Sequence, residues 1–254
     1  MAADHPPTHD MTGAGLDGPP RSRLLFAGAL LFLAFAFIGL GTWQIQRLFW
    51  KLDLIERVDA RVTAEPVPPP PIASWAGINA ANDEYRRVTT TGTFDHGKEV
   101  LVQAVTERGS GFWLLTPLHQ ADGTTILINR GFVPSDRRDP SSRSAGEVTG
   151  SVQVTGLLRL SEPGGAFLRS NDPENDRWYS RDVAAIADAK GLSNVAPYFI
   201  DADSTPNPGG LPIGGMTVVS FRNSHLVYAL TWFALAAMSI GGAIALRRYR
   251  PSAP

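Results

Sequence analysis

The feature that most constrains this chain is its last apolar stretch, residues 223–246. It lies between Arg222 and Arg247, and His225 is the one acid or base within it. A helix of roughly 24 residues at 1.5 Å each is about 36 Å long, enough to cross a ~30 Å hydrocarbon layer with some tilt. On such a helix His225 shares a face with Tyr228, Ala229 and Trp232, at offsets of three, four and seven. The spacing sets the imidazole one turn inside the span. An ionisable group at the edge of a span is a functional candidate. The plain alternative is a histidine solvated among headgroups beside an aromatic belt.

A second stretch of this kind, residues 24–46, runs between Arg23 and Arg47. Ala34-Phe35-Ala36 imitates a signal-peptidase site, but the apolar run continues to Trp43, which favours an uncleaved anchor. Trp43 and Trp50 stand at its far end, where indoles prefer the interface. Arg247, Arg248 and Arg250 outweigh Arg222 across the second span, so both termini are expected in the cytoplasm and the middle outside. Residues 1–23 read as a disordered cytoplasmic tail in which Met11 is an alternative start. His5 and His9 flank Pro6-Pro7 there and make a poor metal pair. No arginine precedes Arg21, which argues against a mitochondrial transit peptide and for a bacterial inner-membrane protein.

Between the spans, residues 47–71 read as a membrane-proximal helix and a stiff Pro-rich spacer, and residues 72–222 as a periplasmic domain. Residues 247–254 form the second cytoplasmic tail. Short Val-, Thr- and Ile-rich runs at 88–94, 99–105, 112–118, 124–129, 147–160 and 195–200 predict strands. Asp95-His96-Gly97 and Ala121-Asp122-Gly123 predict hairpin turns, and Gly150 and Gly156 bends or bulges. One helix is expected, with Ser180 as N-cap, Asp182 in its first turn and Gly191 as the stop. The fold class is therefore α+β: two transmembrane helices flanking an antiparallel β-rich extracytoplasmic domain, for which a small barrel is one arrangement.

The chemistry is sparse. The chain has no cysteine, which excludes disulfides, thiol redox chemistry, c-type haem attachment and thiolate metal sites. A net charge of −1 gives no reason to expect nucleic acid. Ser110 lies outside any nucleophile elbow, and His96 and His119 lack a nucleophile or acid at a recognisable spacing. Asp172, Glu174 and Asp176 lack the glycine and closing glutamate of a calcium loop. Arg86-Arg87 and Arg137-Arg138 read as solvated surface. No catalytic constellation emerges, and the chain reads as a non-enzyme. The polar residues at the membrane edge remain: Gln44, Arg47 and Lys51 on the first helix and His225 on the second. A helical hairpin can offer this imidazole, the cations and the indoles of Trp43 and Trp232 to one ligand. Neutral imidazole suits haem iron and cations suit its propionates. The alternative is two interfacial belts that never meet.

The same residues carry a resemblance. Gly41-Thr42-Trp43-Gln44-Ile45-Gln46-Arg47-Leu48-Phe49-Trp50-Lys51 and Asn223-Ser224-His225-Leu226-Val227-Tyr228-Ala229-Leu230-Thr231-Trp232-Phe233 resemble the two end signatures of the Surfeit locus protein 1 family. Tyr85-Arg86, Gly92 with Phe94, Thr116-Pro117, Asn129-Arg130-Gly131-Phe132-Val133-Pro134, Gly156 with Arg159, and Trp178 with Asp182 follow its order. Phe132 stands where tryptophan is usual, and Ser224 where a second asparagine is common. The resemblance implies an assembly factor for haem-copper (aa3-type) cytochrome c oxidase. The implied cofactor is haem a, held between the membrane helices with His225 as axial ligand to iron. Trp43, Gln44, Arg47, Tyr228 and Trp232 are expected around it. The implied partners are the large oxidase subunit and the haem a synthase, besides the lipid bilayer. A cofactor-free scaffold for an immature oxidase is the alternative.

Overall fold

In the computed structural model of the 254-residue chain, residues 21–166 and 168–248 are described. The expected tail over 1–20, with His5, His9 and Met11, lies outside them, as does Arg250. Residues 21–23, read from sequence as tail, are already helical. The described residues form two compact units: one comprises residues 21–53 and 222–248, the other residues 54–221.

The first unit is a pair of helices. Helix α1 spans Arg21–Thr63, 43 residues with no proline to interrupt them before Pro66. Helix α3 spans His225–Arg248. Both are long and apolar enough to cross a membrane. The side chains buried between them are small: Ala27, Ala34 and Gly41 on α1, and Ala229, Ala236 and Ala243 on α3. Each series repeats every seventh residue, the period of a left-handed helix pair, and small residues let backbones approach. Phe37 stacks on Trp232 with ring centroids 5.6 Å apart. A Cβ on Gly41 would lie 2.7 Å from the Phe233 ring, so nothing larger than glycine fits there as packed. The opposite faces expose Phe26, Phe32 and Phe35, each more than two-thirds accessible. That pattern, small inside and large apolar outside, suits lipid and is costly in water.

The second unit is built on six strands: β1 (Arg87–Phe94), β2 (Val100–Thr106), β3 (Gly109–His119), β4 (Thr125–Pro134), β5 (Ser151–Leu160) and β6 (Val195–Ala202). Five of them close into a barrel in the order β1-β5-β6-β4-β3, sealed where Phe94 pairs with Leu118; β2 extends the sheet beyond β3. Neighbours are antiparallel except β4 and β6, which run parallel. Alternation divides the apolar residues between two cores. Val88, Ile126, Ile128, Val154, Leu158, Tyr198 and Ile200 cluster on one face. Leu115, Leu127 and Phe199 point the other way, to Trp178 and to Val183 and Ile186 of helix α2 (Val183–Ala189). Strand β4 is buried on both sides, hence its nearly unbroken apolar run.

Several local expectations are corrected. Ala121-Asp122-Gly123 does join the β3–β4 hairpin. Asp95-His96-Gly97 does not join a hairpin, because β1 and β2 both lie along β3 as two halves of one bent strand. The turn there is a corner: the chain leaves β5's side and continues beside β3. Strand β5 starts only at Ser151 and runs unbroken through Gly156, without a bulge. The N-cap of α2 is Asp182, whose carboxylate accepts from Ala185 N–H; the Ser180 hydroxyl instead accepts from Gly165 and Asn171. The Pro-rich stretch, expected as a stiff spacer, is held against the β unit. Val67 bridges to Val88, and the Pro70 carbonyl accepts from Trp75 Nε1 (3.1 Å) and Tyr198 Oη (3.0 Å).

The motif Asn129-Arg130-Gly131 makes one irregularity that matters below. Leu115 pairs with Asn129 but Leu114 with Gly131, so Arg130 is an extra residue, a bulge in β4. Gly131 has φ +129, and a Cβ there would meet the Ile213 carbonyl at 2.0 Å. Only glycine serves at that position.

Candidate functional site

At the start of α3 the sequence Arg222-Asn223-Ser224 supplies caps instead of more helix. Asn223 Oδ1 accepts the His225 N–H at 3.4 Å, and the Ser224 carbonyl accepts from Tyr228 N–H at 3.2 Å. His225 is therefore the first residue of the helix, not one turn inside it. Its half-buried ring meets α1: Nδ1 lies 2.7 Å from Gln44 Oε1. The amide oxygen is an acceptor, so Nδ1 carries the hydrogen and donates it. Nε2 then keeps its lone pair, and no protein group among the described residues engages it. A histidine whose far nitrogen is fixed by a hydrogen bond is oriented as metal ligands usually are.

The other expected residues are placed differently. Trp232 stacks on Phe37. Trp43 and Tyr228 are 51% and 55% exposed, on the outside of the pair. The Arg47 guanidinium lies 4.3 Å from the Trp50 ring centre on the same helix, a cation–π contact. The seam below His225 is filled by Phe233 over Gly41 and Leu30 against Gly242. The seam is thus closed by small residues and aromatic rings along the pair, with the free Nε2 of His225 at its end.

The second unit carries a polar centre that spacing does not predict. Asp201, 3% exposed, accepts from Asn129 Nδ2 (2.7 Å), Arg159 Nη1 (3.0 Å), Arg181 Nη1 (3.1 Å) and Thr217 Oγ1 (2.9 Å). Glu162 takes Arg181 by both its oxygens, and Glu84 lies 3.4 Å from Arg159 Nε. Arg159 lies over the Tyr85 ring and Arg181 over Phe199. Burial pulls the Arg159 pKa down, but Asp201, with Glu162 and Glu84, outweighs it and holds the group above its ordinary value. The cluster forms the floor of an open pocket of about 800 Å³ walled by Trp113, Val105 and Val218. Its cations are already matched by carboxylates, so it does not require an anion.

The model of the SURF1 family matches residues 31–237. The chain belongs to the SURF1 family. It is 42% identical to Surfeit locus protein 1 of Rattus norvegicus over 225 residues, 82% of this chain and 71% of that protein. It is 41% identical to Surfeit locus protein 1 of Homo sapiens over 225 residues, with 82% and 73% covered. A SURF1-like protein of Monosiga brevicollis is 39% identical over 234 residues, 87% of each chain. The matched span includes Gln44 and His225 as well as Asn129, Arg159, Arg181 and Asp201 of this SURF1-family chain.

The Asp201 cluster was missed because its members lie far apart in the chain. The register Leu157 with Asp201 and Arg159 with Phe199 brings two of them together across β5 and β6. A sequence signal existed in part: Arg159 in a run otherwise reading as buried strand needs a partner.

Proposed function

We propose that this protein is an assembly factor for haem-copper cytochrome c oxidase that holds haem a by His225 and presents it to the large oxidase subunit. The observation that carries the reading is the imidazole at the start of α3, turned by Gln44 so that Nε2 is free, in a chain of the SURF1 family. Gln44 fixes the tautomer and the ring plane. Trp43 and Tyr228 offer exposed aromatic surface to the macrocycle, and Arg47 offers a cation near the membrane edge for a propionate. When bound, the group would supply an iron for His225 to hold. Haem a held by His225, at the end of the helix pair, would lie within reach of an acceptor. The haem a synthase is the donor in this reading, and no catalytic step is assigned to the chain itself.

The closed seam favours a second reading, a scaffold that steadies immature oxidase without cofactor. Purification from cells that make haem a separates the two. A stoichiometric Soret band with extractable haem a supports the first. A colourless protein that co-purifies with oxidase subunits supports the second.

The proposed setting is a bacterial inner membrane, with both spans crossing it, the middle domain periplasmic and the ends cytoplasmic. Arg247 and Arg248 in the last turn of α3 support that orientation. Alkaline phosphatase fused after Gln120 should be active and after Pro254 inactive. The reverse activities would overturn the orientation.

A further inference from the structure

The bulge in β4 aims Arg130 where a regular strand would not. The residue is 3% exposed, with its guanidinium 4.7 Å from the Phe94 ring centre. Its Nη2 donates to the Gly146 carbonyl at 2.5 Å and to Asn207 Oδ1 at 3.0 Å. No carboxylate among the described residues lies within ion-pair distance of it. That is unusual, because a buried arginine is nearly always paired with an acid. Its neighbour in the same region, Arg143, is paired in that way, with Glu99.

The unspent donors have somewhere to point. Nη1 and Nε of Arg130 donate to nothing in the protein, yet neither is sealed off as a buried unpaired atom. Arg130 lines a pocket of about 160 Å³. Its apolar wall is Phe94, Ile128, Val152, Val154 and Ala202, from four strands, and Gln153, Thr155, Thr205 and Asn207 line the rest. Asp203 also lines it, but its Oδ1 accepts the Thr205 N–H and it makes no ion pair with Arg130. Burial lowers the guanidinium pKa to about 10, so the group is still charged at neutral pH. A charged, donor-rich head at one end of a small apolar cavity matches one ligand shape.

We propose that this cavity binds a carboxylate on a short apolar stem, with its oxygens taken by Nη1 and Nε of Arg130 and its stem against Phe94 and Val152. The acid comes either as a free short-chain molecule or as the C-terminus of a polypeptide. The site is independent of His225. Holding the Gly146 and Asn207 segments is a structural duty that occupies Nη2 alone and leaves the other two donors unexplained.

Saturation-transfer NMR on the full chain in detergent tests it, with butyrate as probe and butyramide as its neutral isostere. Butyrate should be preferred by about ten-fold or more, the size of one charge-assisted contact. Arg130→Met should abolish that preference. Because this variant also frees two loops, Val152→Trp serves beside it: it fills the cavity, removes neither hydrogen-bond partner of Arg130, and should abolish butyrate binding in a folded protein. Displacement of butyrate by N-acetylglycine at about ten-fold lower concentration assigns the site to a polypeptide C-terminus, and its absence to a free acid. Equal transfer to butyrate and butyramide, or full butyrate binding by folded Val152→Trp, overturns the proposal.

Discussion

Replacing His225 by alanine should strip most of the haem a from the purified protein while leaving the protein in the membrane at normal levels. The imidazole keeps a free Nε2 lone pair at the mouth of the helix pair, so its loss removes the proposed bond to iron. The packing that holds the helices together lies elsewhere, in Ala229, Ala236 and Ala243 against Ala27, Ala34 and Gly41, and survives the change. Gln44→Leu should give a milder version of the same defect. It leaves the ligand in place but removes the acceptor that orients it, and such supporting partners are typically worth about 10–100-fold in affinity. Arg47→Ala should cost less again, about 1 kcal/mol, because a cation at the membrane edge is partly solvated. His96→Ala and His119→Ala should leave the spectrum unchanged: His96 Nε2 is bound to the Val148 carbonyl and His119 Nδ1 to Thr125 Oγ1, both in the β unit. Absorbance at the Soret band per mole of protein measures all five. Full occupancy in His225→Ala would move the assignment to the scaffold reading.

What could be read from the sequence follows the range of the forces involved. Apolar runs long enough to span a membrane, and an Asp-Gly turn between alternating strands, depend on neighbours along the chain, and both are found where expected. Asp95-His96-Gly97 has the same local chemistry as a hairpin turn. Whether it reverses the chain or only bends it depends on β5 competing for β1, a contact some sixty residues away. The cap of α2 is Asp182 and not Ser180, because the Ser180 hydroxyl is taken by Gly165 and Asn171, the latter nine residues back in the chain. The His225 pair with Gln44 was legible as two polar residues at one membrane edge. The closure of the seam was not, since it rests on which faces of two helices carry alanine and glycine once they meet.

Asp201→Ala should be the most damaging substitution in the β unit, lowering stability by about 3–5 kcal/mol, because removing one partner strands buried charges that the other had neutralised. Arg159 and Arg181 are each 14% exposed, and both lose their shortest contact to a buried carboxylate at once. Asn129 loses the acceptor for its side-chain amide, in the motif whose Oδ1 also takes the Gly131 N–H of the bulge. Thr217 loses its side-chain tie to β6, and with it the segment after Gly215 loses an anchor. Asp201→Asn is the sharper test, since it keeps the shape and the acceptor for Thr217 while removing the charge. It should recover only a minority of the loss. For a unit of this size the alanine variant should melt roughly 8–15 °C below the parent chain. Thr217→Val should cost only about 1 kcal/mol, the value of one neutral hydrogen bond. A melting point for Asp201→Ala within about 2 °C of the parent would mean that water reaches Arg159 and Arg181 through the open pocket and screens them, and the cluster would then be surface chemistry and not a structural centre.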